Sequence, residues 1–194
     1  MKFENDYQRR EWIGRQALKE LQRQYPHIFK YDITFEPDMY SHYDASFIEY
    51  DYTTHNIKMR HFIEIKIRDR VFPDYILERK KVSNLHKKMD ELGLKDGEYK
   101  LFYLNFCPDG TYLWNITDIT PQDCNESKLM NKATSTSRRD KMNKYYRPMV
   151  TEEARKFEYI INENDIVEEE VMRRMKPQLE KKIQQKGLNW LFED

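Results

Sequence analysis

Residues 59–68 read MRHFIEIKIR, a strict alternation in which Ile63, Ile65 and Ile67 share one face while Glu64 and Lys66 share the other. A period of two puts successive side chains on opposite sides of a pleated strand. The segment is therefore expected to be a β-strand whose isoleucines pack into a core and whose carboxylate and ammonium point together into a cleft or solvent. It is the clearest strand signal in the chain, and the other elements are placed around it.

Upstream, Ile13, Ala17, Leu21 and Tyr25 recur every four residues with Pro26 just beyond, which predicts a helix over 5–25. Extended segments are expected at 31–35 and 43–50, with Thr53-Thr54-His55-Asn56 as the polar turn into residues 59–68. Pro73 is placed to open a second helix, whose apolar stripe is Ile76, Leu77, Val82, Leu85, Met89 and Leu92, with Gly93 just past its end. Segments 100–106 and 111–116 flank Cys107-Pro108-Asp109-Gly110, the signature of a hairpin turn. Residues 125–147 are polar and basic with little periodicity and read as loop. Thr151 is suited to cap a helix through Ile161, and 165–186 reads as a charged helical tail that Pro177 should kink or split. The expected division is a core over 1–124, a basic loop over 125–150 and a C-terminal helical extension over 151–194. The order of elements predicts an α/β layered domain.

Composition acts mainly by exclusion. Lys+Arg and Asp+Glu both number 34, so the net charge of zero rules out a globally polybasic tail or an acidic solvating chain, though not a local cluster of either sign. The five glycines (14, 93, 97, 110 and 187) lie too far apart for any glycine-rich phosphate cradle. Cys107 and Cys124 are too few for a disulfide framework or a thiolate zinc site, which fits a reducing cytoplasm. The start, MKFENDYQRREW, is charged where a signal peptide needs an apolar run, and no long apolar stretch follows. A soluble cytoplasmic protein without a membrane partner is expected.

The candidate chemistry sits on the central strand. Asp44 opens the preceding segment, YDASFIEYD, and antiparallel pairing would set it beside Glu64. Two carboxylates on rigid strands suit Mg²⁺, which takes few protein oxygens and keeps waters, and the Ile65 carbonyl could add a third oxygen. Such an ion would acidify a bound water and neutralise charge developing on a phosphodiester. Lys66 would orient or deprotonate the water, or stabilise the transition state. In isolation, Glu-x-Lys on a strand is usually a solvated ion pair.

Taken together, SHYDASFIEY, HFIEIKIRD and the following DYILERKKVSNL resemble the PD-(D/E)XK nuclease superfamily, over residues 8–116. The resemblance implies a restriction-endonuclease-like core, a central mixed β-sheet flanked by helices. It also implies Mg²⁺-dependent phosphodiester hydrolysis in DNA, with Mn²⁺ able to substitute. Asp44 matches the metal-binding Asp, Glu64 the second carboxylate and Lys66 the lysine, while Tyr43 stands where the motif's Pro would be. Many members add a first-helix Glu near the metal, for which Glu11 is preferred over Glu20. Many also add a Lys or Gln on the helix after the lysine strand, for which Lys81 is chosen. A phage or mobile-element enzyme fits this size, and its setting would then be the host cytoplasm.

Between residues 128 and 147, seven basic residues (Lys128, Lys132, Arg138, Arg139, Lys141, Lys144 and Arg147) face one acid, Asp140, a net +6. Interleaved with Thr134-Ser135-Thr136-Ser137, they suit a phosphate-gripping segment, with Lys80 and its neighbours adding to it from the second helix. The expected partner is DNA, although the residues do not separate DNA from RNA. The C-terminal helices offer a face for a homodimer. The alternative is a catalytically inactive module of the same fold that binds nucleic acid or joins an assembly.

Overall fold

The computed structural model describes residues 6–37, 42–72, 74–131 and 141–162. Residues 1–160 belong to one compact unit; most of a second, over 161–194, lies outside the described residues. The first unit opens with α1 (Asp6–Gln24), followed by β1 (Thr34–Phe35), β2 (Ala45–Tyr50) and β3 (Ile57–Ile67). Next come β4 (Asp74–Glu78), α2 (Arg79–Glu91), β5 (Tyr99–Cys107) and β6 (Gly110–Asn115). The last strands are β7 (Glu126–Asn131), β8 (Lys141–Val150) and β9 (Arg155–Phe157).

Six strands form a mixed sheet in the order β1-β2-β3-β5-β6-β9, and β4-β8-β7 form a second, antiparallel sheet. Only β3 and β5 run parallel in the large sheet. A parallel pair needs a crossover, and the chain makes it through β4 and α2. The fold is thus α/β, with a mixed central sheet and two α-helices among the described residues.

Both faces of β3 are covered. Its isoleucine side meets α1, whose Ile13, Ala17, Leu18 and Leu21 are buried at helical spacing. Gly14 allows the close approach: a Cβ there would lie 3.0 Å from Ile65 Cγ2. On the opposite side Phe62 joins a core with Leu101 and Tyr103 of β5, Tyr75 and Leu77 of β4, Val82, Leu85 and Met89 of α2, and Trp114. The isoleucine face was expected to be the buried one; α2 and the second sheet close the other face as well.

The first helix and the 107–110 hairpin form where the sequence puts them. Gly110, at φ 140°, holds a backbone conformation that side-chain-bearing residues rarely adopt. Three expectations need correction. The second helix starts at Arg79 instead of Pro73, because 74–78 is a strand with Tyr75 and Leu77 buried in alternation and paired to Met149 and Arg147. The expected 125–150 loop contains β7 and β8, paired from Glu126↔Tyr146 to Asn131↔Lys141. Along most of it the outer positions such as Leu129 and Tyr145 are exposed and burial comes only at Met149 near its end, so little apolar alternation is imprinted on the sequence. The helix expected from Thr151 is one 3-10 turn, Thr151–Glu153, leading into β9, which pairs with β6 and buries Phe157 against Tyr25 and Phe29. The expected tail helix over 165–186 lies outside the described residues.

A candidate active site where β2 leaves β3

The ladder between β2 and β3 ends at Ala45↔Ile63. One residue beyond, the Asp44 N–H still donates to the Ile63 carbonyl (2.9 Å), but its own carbonyl has turned to accept from Glu36 N–H (3.0 Å). The Ile65 N–H then donates to Asp44 Oδ2 at 2.6 Å. A carboxylate therefore sits where a continuing strand would have offered a backbone carbonyl. The N–H and C=O of one strand residue point to the same edge, so the Ile65 carbonyl faces this opening too.

Glu64 is 2% exposed, and two ammonium groups meet its Oε1: Lys66 Nζ at 2.5 Å and Lys81 Nζ at 2.9 Å. Lys66 reaches it along β3, whereas Lys81 comes from the first turn of α2. Lys66 and Lys81 keep 39% and 28% of their side chains exposed, so the site is open to solvent on their side.

These charges set one another's protonation. Burial, then the Glu64 charge, pushes the Asp44 carboxyl up to about 7, against the pull of Lys66, the Ile65 N–H and Lys81. Burial also works to raise Glu64, but the two ammonium groups outweigh it and hold the carboxyl below its ordinary value. For Lys66, burial works downward, yet Glu64, with Tyr103 and Asp44, keeps the ammonium protonated well above its usual range. One carboxylate is thus ionised by its lysines, while the other is held well above the ordinary carboxylate range.

Next to this group lies a neutral scaffold on β5. Tyr103 stands opposite Glu64 in the parallel register and Asn105 opposite Lys66. The Arg68 guanidinium donates to Asn105 Oδ1 (2.8 Å) and to Tyr103 Oη (2.8 Å), and the Tyr103 hydroxyl donates to the Ile76 carbonyl (3.1 Å).

Asp44, Glu64, Ile65, Lys66 and Lys81 are thus brought together. Each of the two first-helix candidates has an ion-pair partner on its own helix. Glu11 pairs with Arg15 and Glu20 with Arg23, both within α1. Lys80 is exposed on α2 and Lys141 on β8, while Lys144 is held by Glu78 at 3.1 Å. Lys132, Arg138 and Arg139 lie outside the described residues. Arg68 has no sequence signal beyond continuing the spacing of Glu64 and Lys66 by two residues. A cavity of about 450 Å³ lies away from these groups, bordered by Tyr31, Phe47, His61, Ile63 and Phe102. Its His61 is stacked on Phe47 and hydrogen-bonded to Glu49, as a core histidine would be. Among the described residues no set of three His, Cys, Asp or Glu side chains gathers in a way that could hold a metal ion. No family model and no curated protein matches the chain.

Proposed function

We propose that the protein is a Mg²⁺-dependent nuclease of the PD-(D/E)XK type with a restriction-endonuclease-like core, hydrolysing phosphodiester bonds in DNA. The observation that carries this reading is the meeting of Asp44, Glu64, Lys66 and Lys81 at the opening between β2 and β3. The mixed sheet, with α1 before its first strand and α2 in the crossover between β3 and β5, is consistent with such a core.

The residues fit the ion. Asp44 and Glu64 supply hard oxygens, the Ile65 carbonyl faces the same opening, and Glu64 raises the pKa of Asp44, a like-charge conflict that a divalent cation relieves. When bound, Mg²⁺ would lower the pKa of a water and neutralise charge on the phosphate. Ion binding asks Asp44 to give up the proton that burial, then the Glu64 charge, favours. Lys66, held protonated by Glu64, acts as a cation toward the phosphoryl oxygens and not as a base. Lys81 adds a second positive charge from α2. In the reaction a water oxygen bonds to phosphorus as the bond to the sugar oxygen breaks; the water gives up a proton to solvent, and the departing sugar oxygen keeps the bonding pair and takes a proton from solvent.

The test is a panel of linear, circular, single-stranded and branched DNA incubated with Mg²⁺ or Mn²⁺. Metal-dependent products are expected with the wild-type protein and a loss of at least about 100-fold with Asp44→Asn or Lys66→Ala. Cleavage at the wild-type rate by either variant would overturn the assignment. A second reading, a catalytically inactive nucleic-acid-binding module, draws on the double engagement of Glu64 Oε1 by Lys66 and Lys81, an arrangement that also suits a structural ion-pair network. Metal-independent binding without products would favour it.

A further inference from the structure

We infer that Arg68 is a phosphate-binding residue of the nucleic-acid strand that enters this site, held in place by Tyr103 and Asn105. The inference deepens the nuclease reading and rests on it for the identity of the ligand.

Arg68 follows Glu64 and Lys66 at the strand period, at the end of β3, and its backbone N–H donates to Phe106 O. Both side-chain partners, the Asn105 amide oxygen and the Tyr103 hydroxyl, are neutral. Among the described residues no carboxylate pairs with Arg68, so its charge is not cancelled. A guanidinium has five N–H donors in a rigid fork, and these two bonds use a minority of them.

The anchors are themselves tightly fixed. Asn105 is fully buried, and its amide oxygen accepts from the Arg68 guanidinium. Tyr103 is buried and hydrogen-bonds onward to β4. A half-buried, uncompensated arginine locked by two neutral acceptors is pre-organised to present its remaining donors to an anion. It stands two residues past Lys66, and Tyr103 lies in the field of both cations, so the guanidinium borders the carboxylate site. The anion that such a row along a strand fits is the phosphate next to the scissile one.

The experiment measures binding of the full chain to a short DNA duplex and to the corresponding single strand, with Ca²⁺ in place of Mg²⁺, across a series of KCl concentrations. Arg68→Gln should weaken binding several-fold and reduce the slope of log K against log salt by about one. Arg68→Lys should keep the slope while losing affinity, because the charge remains and the fixed fork does not. Tyr103→Phe, which frees the guanidinium without removing it, should weaken binding with the slope unchanged. Thermal melts of each variant verify folding. If Arg68→Gln does not fold, unchanged affinity in both Arg68→Lys and Tyr103→Phe overturns the inference.

An unchanged slope and affinity in folded Arg68→Gln would overturn it, as would absence of DNA binding by the wild-type protein. Because binding is read separately from products, the two readings can fail separately. A slope change without any cleavage by the wild-type protein sinks the nuclease and leaves Arg68 standing. Cleavage with a salt slope insensitive to Arg68 does the reverse.

Discussion

The Asp44 carboxylate accepts the Ile65 N–H at 2.6 Å, a bond made by a side chain where a continuing β2 would have made it with its backbone. The ladder is thus closed with an ionisable group, and Ile65 ties that group to β3 between Glu64 and Lys66. The nuclease reading of the site draws on this arrangement. Burial, then the Glu64 charge, outweighs this bond, so the protein is expected to be more stable with Asp44 protonated than charged.

The Asp44 carboxyl is raised from its ordinary 3.8 to about 7, so its neutral form is favoured in the folded chain. The stability this confers is fully present below the unfolded value and is lost as pH rises through about 7. In EDTA, the melting temperature of the wild-type protein should therefore fall between pH 5 and pH 8. Asp44→Asn, which keeps an acceptor for Ile65 but cannot ionise, should flatten that fall and melt above wild type at pH 8. Added Mg²⁺ should raise the wild-type melting temperature at pH 8 and leave Asp44→Asn unmoved. An identical pH trend in the two proteins would contradict the environment assigned to Asp44.

Removing the other carboxylate should act in the opposite sense. Glu64→Gln leaves Lys66 and Lys81 facing each other across a neutral amide. Stranding one side of a fully buried pair typically loses several kcal/mol, but both ammonium groups keep some contact with water. The expected destabilisation is therefore about 1–2 kcal/mol, a drop of several degrees in a domain of this size. Adding Lys81→Met to Glu64→Gln should restore part of the loss by removing one of the two like charges. Denaturant titration of the single and double variants measures that coupling, and simple additivity would argue against it.

The parts of this site that were legible in the sequence share one property: a regular period with a buried side. The alternation of 63–67 identifies β3 and separates Glu64 and Lys66 from the isoleucines, and Asp44 follows from pairing with the preceding segment. The period-two signal in Asp74–Glu78 was masked because Pro73 and the adjacent Ile76 and Leu77 also satisfy a helix start. Strands β7 and β8 have exposed apolar residues and leave little alternation to find. Arg68 lies just past Ile67, where the apolar half of the pattern stops. The Lys144–Glu78 contact joins residues 66 apart in sequence, and no local spacing announces it.

Gly14 is the point at which α1 can disturb the site without touching its charges. An added Cβ would stand 3.0 Å from Ile65 Cγ2, so a larger side chain must push α1 and β3 apart. Gly14→Val should destabilise by about 1–3 kcal/mol. Because Ile65 also holds Asp44 through its amide, cleavage should fall further than the folded fraction does. Activity proportional to the folded fraction at every temperature would show that Ile65 does not transmit the strain.

The β7–β8 hairpin should contribute affinity and no chemistry. Lys128 and Lys141 are exposed on it, and neither belongs to the carboxylate group. Lys144 differs, because Glu78 already holds its ammonium at 3.1 Å. Lys128→Gln combined with Lys141→Gln should weaken DNA binding, lower the salt slope by up to about two and leave the cleavage rate at saturating DNA unchanged. Glu78→Gln should have the opposite effect on binding, since it releases Lys144 and removes a negative charge near the first turn of α2. Tighter binding with a steeper salt slope is the expected result for Glu78→Gln. If instead binding weakened, the Lys144–Glu78 pair would be fixing the hairpin in place, and its loss would be read as a lower melting temperature in the same variant.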